Sequence, residues 1–89
     1  MSRNVSITLL NNEDARPVVQ AIEKDNPNCI INHMPSLVKV DMAGSLRINR
    51  HTVEEILGRE WNVQDIHLCL VSLSGEVEEE DDFFELSWK

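Results

Sequence analysis

Tyrosine is missing from this 89-residue chain and aromatic residues make up only 4% of it, so aliphatic side chains have to fill most of the interior. Glycine occurs only at positions 44, 58 and 75, which excludes a glycine-rich phosphate-binding loop, and no Gly-x-Ser-x-Gly nucleophile motif is present. Basic residues are scarce, eight Lys and Arg against sixteen Asp and Glu, for a formal net charge of -8. Phosphate binding needs clustered cations, so DNA and RNA are not expected partners. Cysteine occurs only as Cys29 and Cys69, far apart and within apolar segments, the pattern of buried free thiols rather than of a disulfide framework. No long apolar run exists. Leu68-Cys69-Leu70-Val71 is far too short to span a bilayer, and Met1-Ser2-Arg3-Asn4 leads into a strand-like segment without a signal-type apolar region, so a cytoplasmic protein with no membrane contact is expected.

Metal chemistry is equally poorly provided for. A carboxylate-bridged di-iron site wants Glu-x-x-His pairs, yet the residues three before His33, His51 and His67 are Ile30, Ile48 and Gln64. Two distant cysteines and three scattered histidines lack zinc or iron–sulfur spacing. The acidic run Glu76–Asp82 lacks the ligand spacing of an EF-hand and is expected on a solvated loop. No catalytic residue, cofactor or metal ligand is therefore assigned, and the chain is expected not to be an enzyme. His67 fits an edge or exposed strand position, whereas His33 sits beside Met34-Pro35 at a strand break, where loop residues often contact partners.

The chain contains the pattern of a compact α+β fold. Val5, Ile7 and Leu9 alternate with Ser6 and Thr8, as in a half-buried strand. Ala15, Val18, Val19 and Ile22 form the apolar stripe of a first helix, capped at Glu13 or Asp14 so that Pro17 falls in the first turn, and stopping near Asp25-Asn26-Pro27. A strand begins at Cys29-Ile30-Ile31 and runs to His33, and after Pro35 a second follows through Leu37, Val38, Val40 and Met42. Gly44 turns the chain. An odd loop, Ala43-Gly44-Ser45, would pair Met42 with Leu46 and Val40 with Ile48 in a hairpin. Asn49 is placed to cap a short second helix carrying Val53, Ile56 and Leu57 and ended by Gly58. Ile66 to Leu73, apolar on both faces at Leu68 to Val71, predicts a central strand covered on both sides. Val77 and the segment Phe83, Leu86, Trp88 supply two more short strands, and Trp61 and Trp88 are expected in the core. The order strand, helix, strand, strand thus occurs twice, in halves of about residues 5–42 and 45–88 of one domain covering 1–89. It predicts helices packed on a largely antiparallel sheet, related to the ferredoxin-like arrangement.

Three segments carry a family resemblance: Ala21-Ile22-Glu23-Lys24-Asp25-Asn26-Pro27, Leu46-Arg47-Ile48-Asn49-Arg50, and Leu57-Gly58-Arg59-Glu60-Trp61-Asn62-Val63-Gln64-Asp65. With them the chain resembles the effector proteins of bacterial multicomponent monooxygenases, and within these the phenol hydroxylase branch. The resemblance implies a duplicated β-α-β-β fold and a cofactor-free regulatory protein that docks on the di-iron hydroxylase component. There it would couple electrons from a reductase to oxygen activation and aromatic hydroxylation, with catalysis left to the partner. It also implies that the end of the strand after the Leu57-Gly58-Arg59 segment faces the hydroxylase, at Val71, Ser72, Leu73, Ser74 and Gly75. Val71 and Leu73 are more apolar than the residues found there in the methane branch. With His33 and Met34 these form the expected partner-binding set. The competing reading from fold alone is a small ferredoxin-like domain that binds a metabolite at a homodimer interface.

Overall fold

A computed structural model describes residues 3–88 of the chain. Its elements are β1 (Asn4–Leu10), α1 (Arg16–Asp25), β2 (Ile30–His33), β3 (Leu37–Ala43), β4 (Ser45–Asn49), α2 (Arg50–Leu57), a 3-10 helix (Val63–Leu68), β5 (Leu70–Ser74), β6 (Glu76–Glu79) and β7 (Phe83–Ser87). Helices pack with antiparallel strands, as the α+β pattern predicts. The strands, however, form two sheets, one of order β2-β3-β1-β5 and one of order β4-β7-β6.

The predicted β3–β4 hairpin therefore does not form. Val40 and Met42 pair with Ile7 and Val5 of β1, and Leu46 and Ile48 pair with Leu86 and Phe84 of β7. Gly44 carries the chain from the first sheet to the second, and Gly75 carries it back the same way after β5 has returned to the first sheet. With β5 set aside, β1-α1-β2-β3 and β4-α2-β6-β7 arrange their strands alike, as β2-β3-β1 and β6-β7-β4.

One core fills the space between the sheets and the helices. The first sheet contributes Val5, Ile7, Leu9, Val38 and Val40, the second Leu46, Ile48, Phe84 and Leu86, and the helices Val18, Val19, Ala21, Ile22 and Val53, all buried. The 3-10 helix adds Val63 and Ile66, and Trp61 is buried beside them. Trp88 is partly buried at the margin, where its indole N–H donates to the Asn4 carbonyl at 2.8 Å and the Arg3 guanidinium lies 4.2 Å from its ring centre. These contacts tie the last strand to the first.

Two helix starts differ from the expectation. The α1 cap is Ala15 rather than Glu13 or Asp14, because the Asn12 side chain accepts the Ala15 N–H at 2.9 Å and closes an extra turn before the helix. Pro17 still lies in the first turn, where no N–H is required. Asn49 does precede α2, but its side chain is used elsewhere: it donates to Asp25 at 2.9 Å and accepts from Arg47 at 3.0 Å. Gly58 ends α2 in the left-handed conformation, φ 74°, as its spacing predicts.

Asn26, buried just after α1, is the polar centre of the fold. Its amide donates to the Ile22 carbonyl at 3.0 Å and to the Arg47 carbonyl at 2.8 Å, while its oxygen accepts the Arg47 N–H at 3.2 Å. One side chain thereby caps α1 and bonds the outer edge of β4 as a neighbouring strand would. Asn26→Ala strands these groups, and each buried orphan costs about 1–3 kcal/mol. The expected result is a destabilisation of about 2 kcal/mol or more, measured as a lower urea midpoint at unchanged m-value.

Candidate functional site

The central-strand expectation for Ile66 to Leu73 is overturned. The chain runs as a 3-10 helix to Leu68, and the strand that follows, β5, lies at the edge of the first sheet, paired only with β1. Its register slips: Thr8 pairs with Ser72 and Leu9 with Leu70, leaving Val71 as an extra residue in a β-bulge. The apolar run is consequently not covered. Leu68 is 72% exposed and Val71 is 49% exposed, while Cys69 is buried and Leu70 packs partly against the core. What the sequence pattern marks as interior is in part a surface.

Tertiary contacts bring Met34 to the same end of the sheet. Leu10 N–H donates to the Cys69 carbonyl at 2.8 Å, Asn11 N–H to the Ser36 carbonyl at 2.9 Å, and the Asn11 side chain to the Met34 carbonyl at 3.3 Å. The end of β1 thus bridges the β2–β3 turn and the start of β5. Leu10 and Met34, 39% and 37% exposed, join Leu68 and Val71 around it. His33, Val38, Leu9 and Leu70 form one row across the sheet, so His33 and Leu70 stand at opposite edges, about 14 Å apart at ordinary strand spacing.

The remaining candidates divide by face. Ser72 and Ser74 pair with Thr8 and Ser6 on the outer side of the sheet, making a flat strip of small hydroxylated side chains that continues to Leu10. Leu73 pairs with Ile7 on the inner side and packs partly against the core. Gly75 lies at the far end of β5 with φ 136°, and a Cβ there would stand 3.1 Å from Val5 Cγ1, so only glycine passes this crossover without strain. Ser6, Thr8, Leu10 and Leu68 are absent from the partner-binding set read from the sequence. The alternation Ser6, Thr8, Leu10 was the available signal for three of them, while Leu68 belongs to the apolar run whose pattern points to the interior.

The thiols are not poised for chemistry. Cys69 is buried, and its thiol pKa is pushed up by that burial and secondarily by Asp14; Cys29 is raised by burial and by Glu23. His67 pairs with Glu79 at 2.7 Å and joins the 3-10 helix to β6. Among the described residues no group of three or more His, Cys, Asp or Glu is placed to hold a metal ion. Surface depressions of about 480 and 320 Å³ share Arg50 and are rimmed by Glu54 and Asp82 in the one and by Glu79 and Glu80 in the other.

The segment leading to the exposed surface is anchored by Glu54. Its carboxylate accepts the Trp61 N–H at 3.0 Å and the Arg50 Nε at 3.2 Å. The Trp61 hydrogen bond first, and Arg50 second, hold its pKa below the usual carboxylate range. A depressed folded pKa means this contribution is complete above the unfolded value and disappears as pH falls through the folded one. Glu54→Gln is therefore expected to lower the melting temperature at neutral pH but to lose less of it on acidification than the parent chain, as followed by circular dichroism.

Comparison with known proteins follows this geometry. Residues 3–87 match the model of the MmoB/DmpM family. Over its full length the chain is 43% identical to the stimulatory component DmpM of phenol 2-monooxygenase from Pseudomonas sp. (strain CF600), covering 99% of that protein. The fold superposes with a TM-score of 0.93 and 38% identity on a chain from the structure of a phenol hydroxylase–regulatory protein complex, covering 98% of this chain and 100% of that one. Regulatory protein B of soluble methane monooxygenase shares the fold, with a TM-score of 0.74 at 19% identity, over all of this chain and 67% of that one.

Proposed function

This chain belongs to the MmoB/DmpM family, and from that premise we propose that it is a non-catalytic effector of a phenol-type multicomponent monooxygenase. It binds the di-iron hydroxylase component and couples electron delivery from the reductase to oxygen activation and aromatic hydroxylation, working in the cytoplasm with no cofactor of its own. The observation that carries this reading is full-length correspondence, in sequence to a phenol monooxygenase stimulatory component and in fold to a regulatory chain of a hydroxylase complex.

A protein without a reactive group can alter another only by binding one of its states more tightly than the other. A tenfold bias needs about 1.4 kcal/mol, which a few buried apolar contacts supply. The surface that fits this task is the β5 end of the first sheet: Val71 lifted by the bulge, Ser72 and Ser74 on the outer face, and Met34 at the same end, supported by Leu10 and Leu68, while His33, in the Leu9–Val38 row at the opposite edge, stands apart from it. Leu73 and Gly75 act on it indirectly, one by packing beneath the strand and the other by allowing its turn. The surface is uncharged from Ile66 to Gly75 apart from the histidine at 67, and the acids of Glu76–Asp82 lie beyond it on β6 and the following turn.

Reconstitution with a di-iron phenol hydroxylase and its reductase tests both levels. The chain alone is expected to turn over no substrate, and its addition is expected to raise hydroxylated product per NADH consumed; no effect on any such hydroxylase defeats the reading. Val71→Glu and Ser72→Arg, at exposed positions, are expected to leave the melting temperature within a few degrees while raising the half-saturating effector concentration about tenfold or more. Unchanged coupling in both variants removes β5 from the contact.

A further inference from the structure

A depression of about 160 Å³ lies between the turn before α1, the end of α2 and the 3-10 helix. Leu57, Trp61 and Leu68 give it apolar walls, and Glu13, Asp14 and Asp65 outnumber the single base Arg59 along it. No ion pair or side-chain hydrogen bond among the described residues engages any of these four charged groups, whereas the Arg50 of the larger depressions is already paired with Glu54. Trp61 adds a second open group. It is only 8% exposed, and its indole N–H has no acceptor among the described residues, unlike that of Trp88, which is bonded to the Asn4 carbonyl. The nitrogen is not sealed from solvent, and Trp61 reaches the surface in this depression, so a nearly buried ring offers a free donor there.

We propose that this depression is a subsite of the partner contact that receives an arginine side chain of the hydroxylase component, an inference that rests on the effector reading. The occupant follows from what the open groups require. Unpaired carboxylates call for a cation, but Glu13, Asp14 and Asp65 are not placed together as metal ligands. The Trp61 N–H calls for an acceptor, which a bare cation lacks. One residue of a polypeptide supplies both, a cationic side chain for the acids and a backbone carbonyl of its own segment for the indole. Arginine fits better than lysine, because its planar guanidinium divides five donors among carboxylates that do not converge, while an ammonium concentrates its charge at one point. Its aliphatic stem has Leu57 and Leu68 to lie against. Leu68, 72% exposed, belongs both to this depression and to the apolar surface that runs through Val71, so the subsite continues that surface without a break. An apolar area then supplies affinity and the charged end supplies orientation.

Titration of the full chain against a di-iron phenol hydroxylase component, at low and at moderate salt, tests the assignment. The parent chain is expected to bind more weakly as salt rises, since a charge pair at the rim of a contact is screened. Asp14→Lys and Asp65→Lys are each expected to raise Kd about tenfold or more at low salt and to flatten its salt dependence. Asp81→Lys makes the same change of net charge on the turn after β6 and is expected to alter Kd by less than about threefold. Trp61→Phe keeps the ring and every charge but removes the donor; it is expected to raise Kd about threefold or more with the salt dependence of the parent. Circular dichroism and the melting temperature of each isolated variant separate a lost contact from a lost fold. Folded Asp14→Lys and Asp65→Lys chains that bind no worse than Asp81→Lys, or that keep the parent's salt dependence, overturn the proposal and leave the effector reading standing; a parent chain that does not bind the hydroxylase overturns both.

Discussion

Neither sheet of this protein buries its apolar face by itself: the inner faces of both meet in one core that the helices and the 3-10 segment complete. The chain is therefore obliged to change sheets, which it does at Gly44 and again at Gly75, and the second crossing leaves no room for a side chain beside Val5. Most of the molecule's form follows from that shared core. Asn26 ties α1 to β4, Trp88 and Arg3 tie the last strand to the first, and α1 lies against α2, so the two halves cannot separate without exposing Ile22, Ile48 and Phe84 together. A large part of the stability is thus carried by contacts between residues distant in sequence.

The same constraint creates the candidate surface. β5 stands outside the repeated strand–helix–strand–strand order and joins the first sheet at an edge, where a bulge absorbs one residue and turns Val71 toward solvent. Apolar side chains at Leu10, Met34, Leu68 and Val71 then remain outside a core that is already filled. For an effector this is the expected economy of design: a small rigid body supplies shape, and a limited uncharged area supplies the differential affinity by which one protein biases another.

Edges complete the picture. In a domain this small a large share of the strands lie at sheet margins, and each margin is a possible pairing site. Here β4 is covered by the Asn26 amide, β5 is bulged at Val71, and β6 carries Glu78 and Glu79, three different answers to the same problem.

Much of the architecture was legible in the chain itself. The period of two in Val5, Ile7 and Leu9, the helical spacing of Ala15 to Ile22, the strand break at Met34-Pro35 and the left-handed stop at Gly58 are local patterns, and local patterns are set by backbone geometry that the sequence carries directly. Three segments with family character also pointed to the effector family to which the chain belongs. Pairing partners were a different matter. The hairpin expected around Gly44 was compatible with the alternation on both sides of it, but alternation fixes which face a residue shows and not which strand it meets. The apolar run Leu68 to Val71 looked like an interior strand because hydrophobicity alone cannot distinguish a covered position from one held outward by a bulge and a 3-10 turn. Asn26 looked like an ordinary helix end, and its second role appears only where β4 comes alongside. Fold class and most element types were thus determined by the sequence, since they depend on residues within a few positions of each other; the 3-10 turn at Ile66 to Leu68, sheet membership, edge protection and the exposed apolar surface were decided by the tertiary structure, since they depend on which distant segments meet at the shared core.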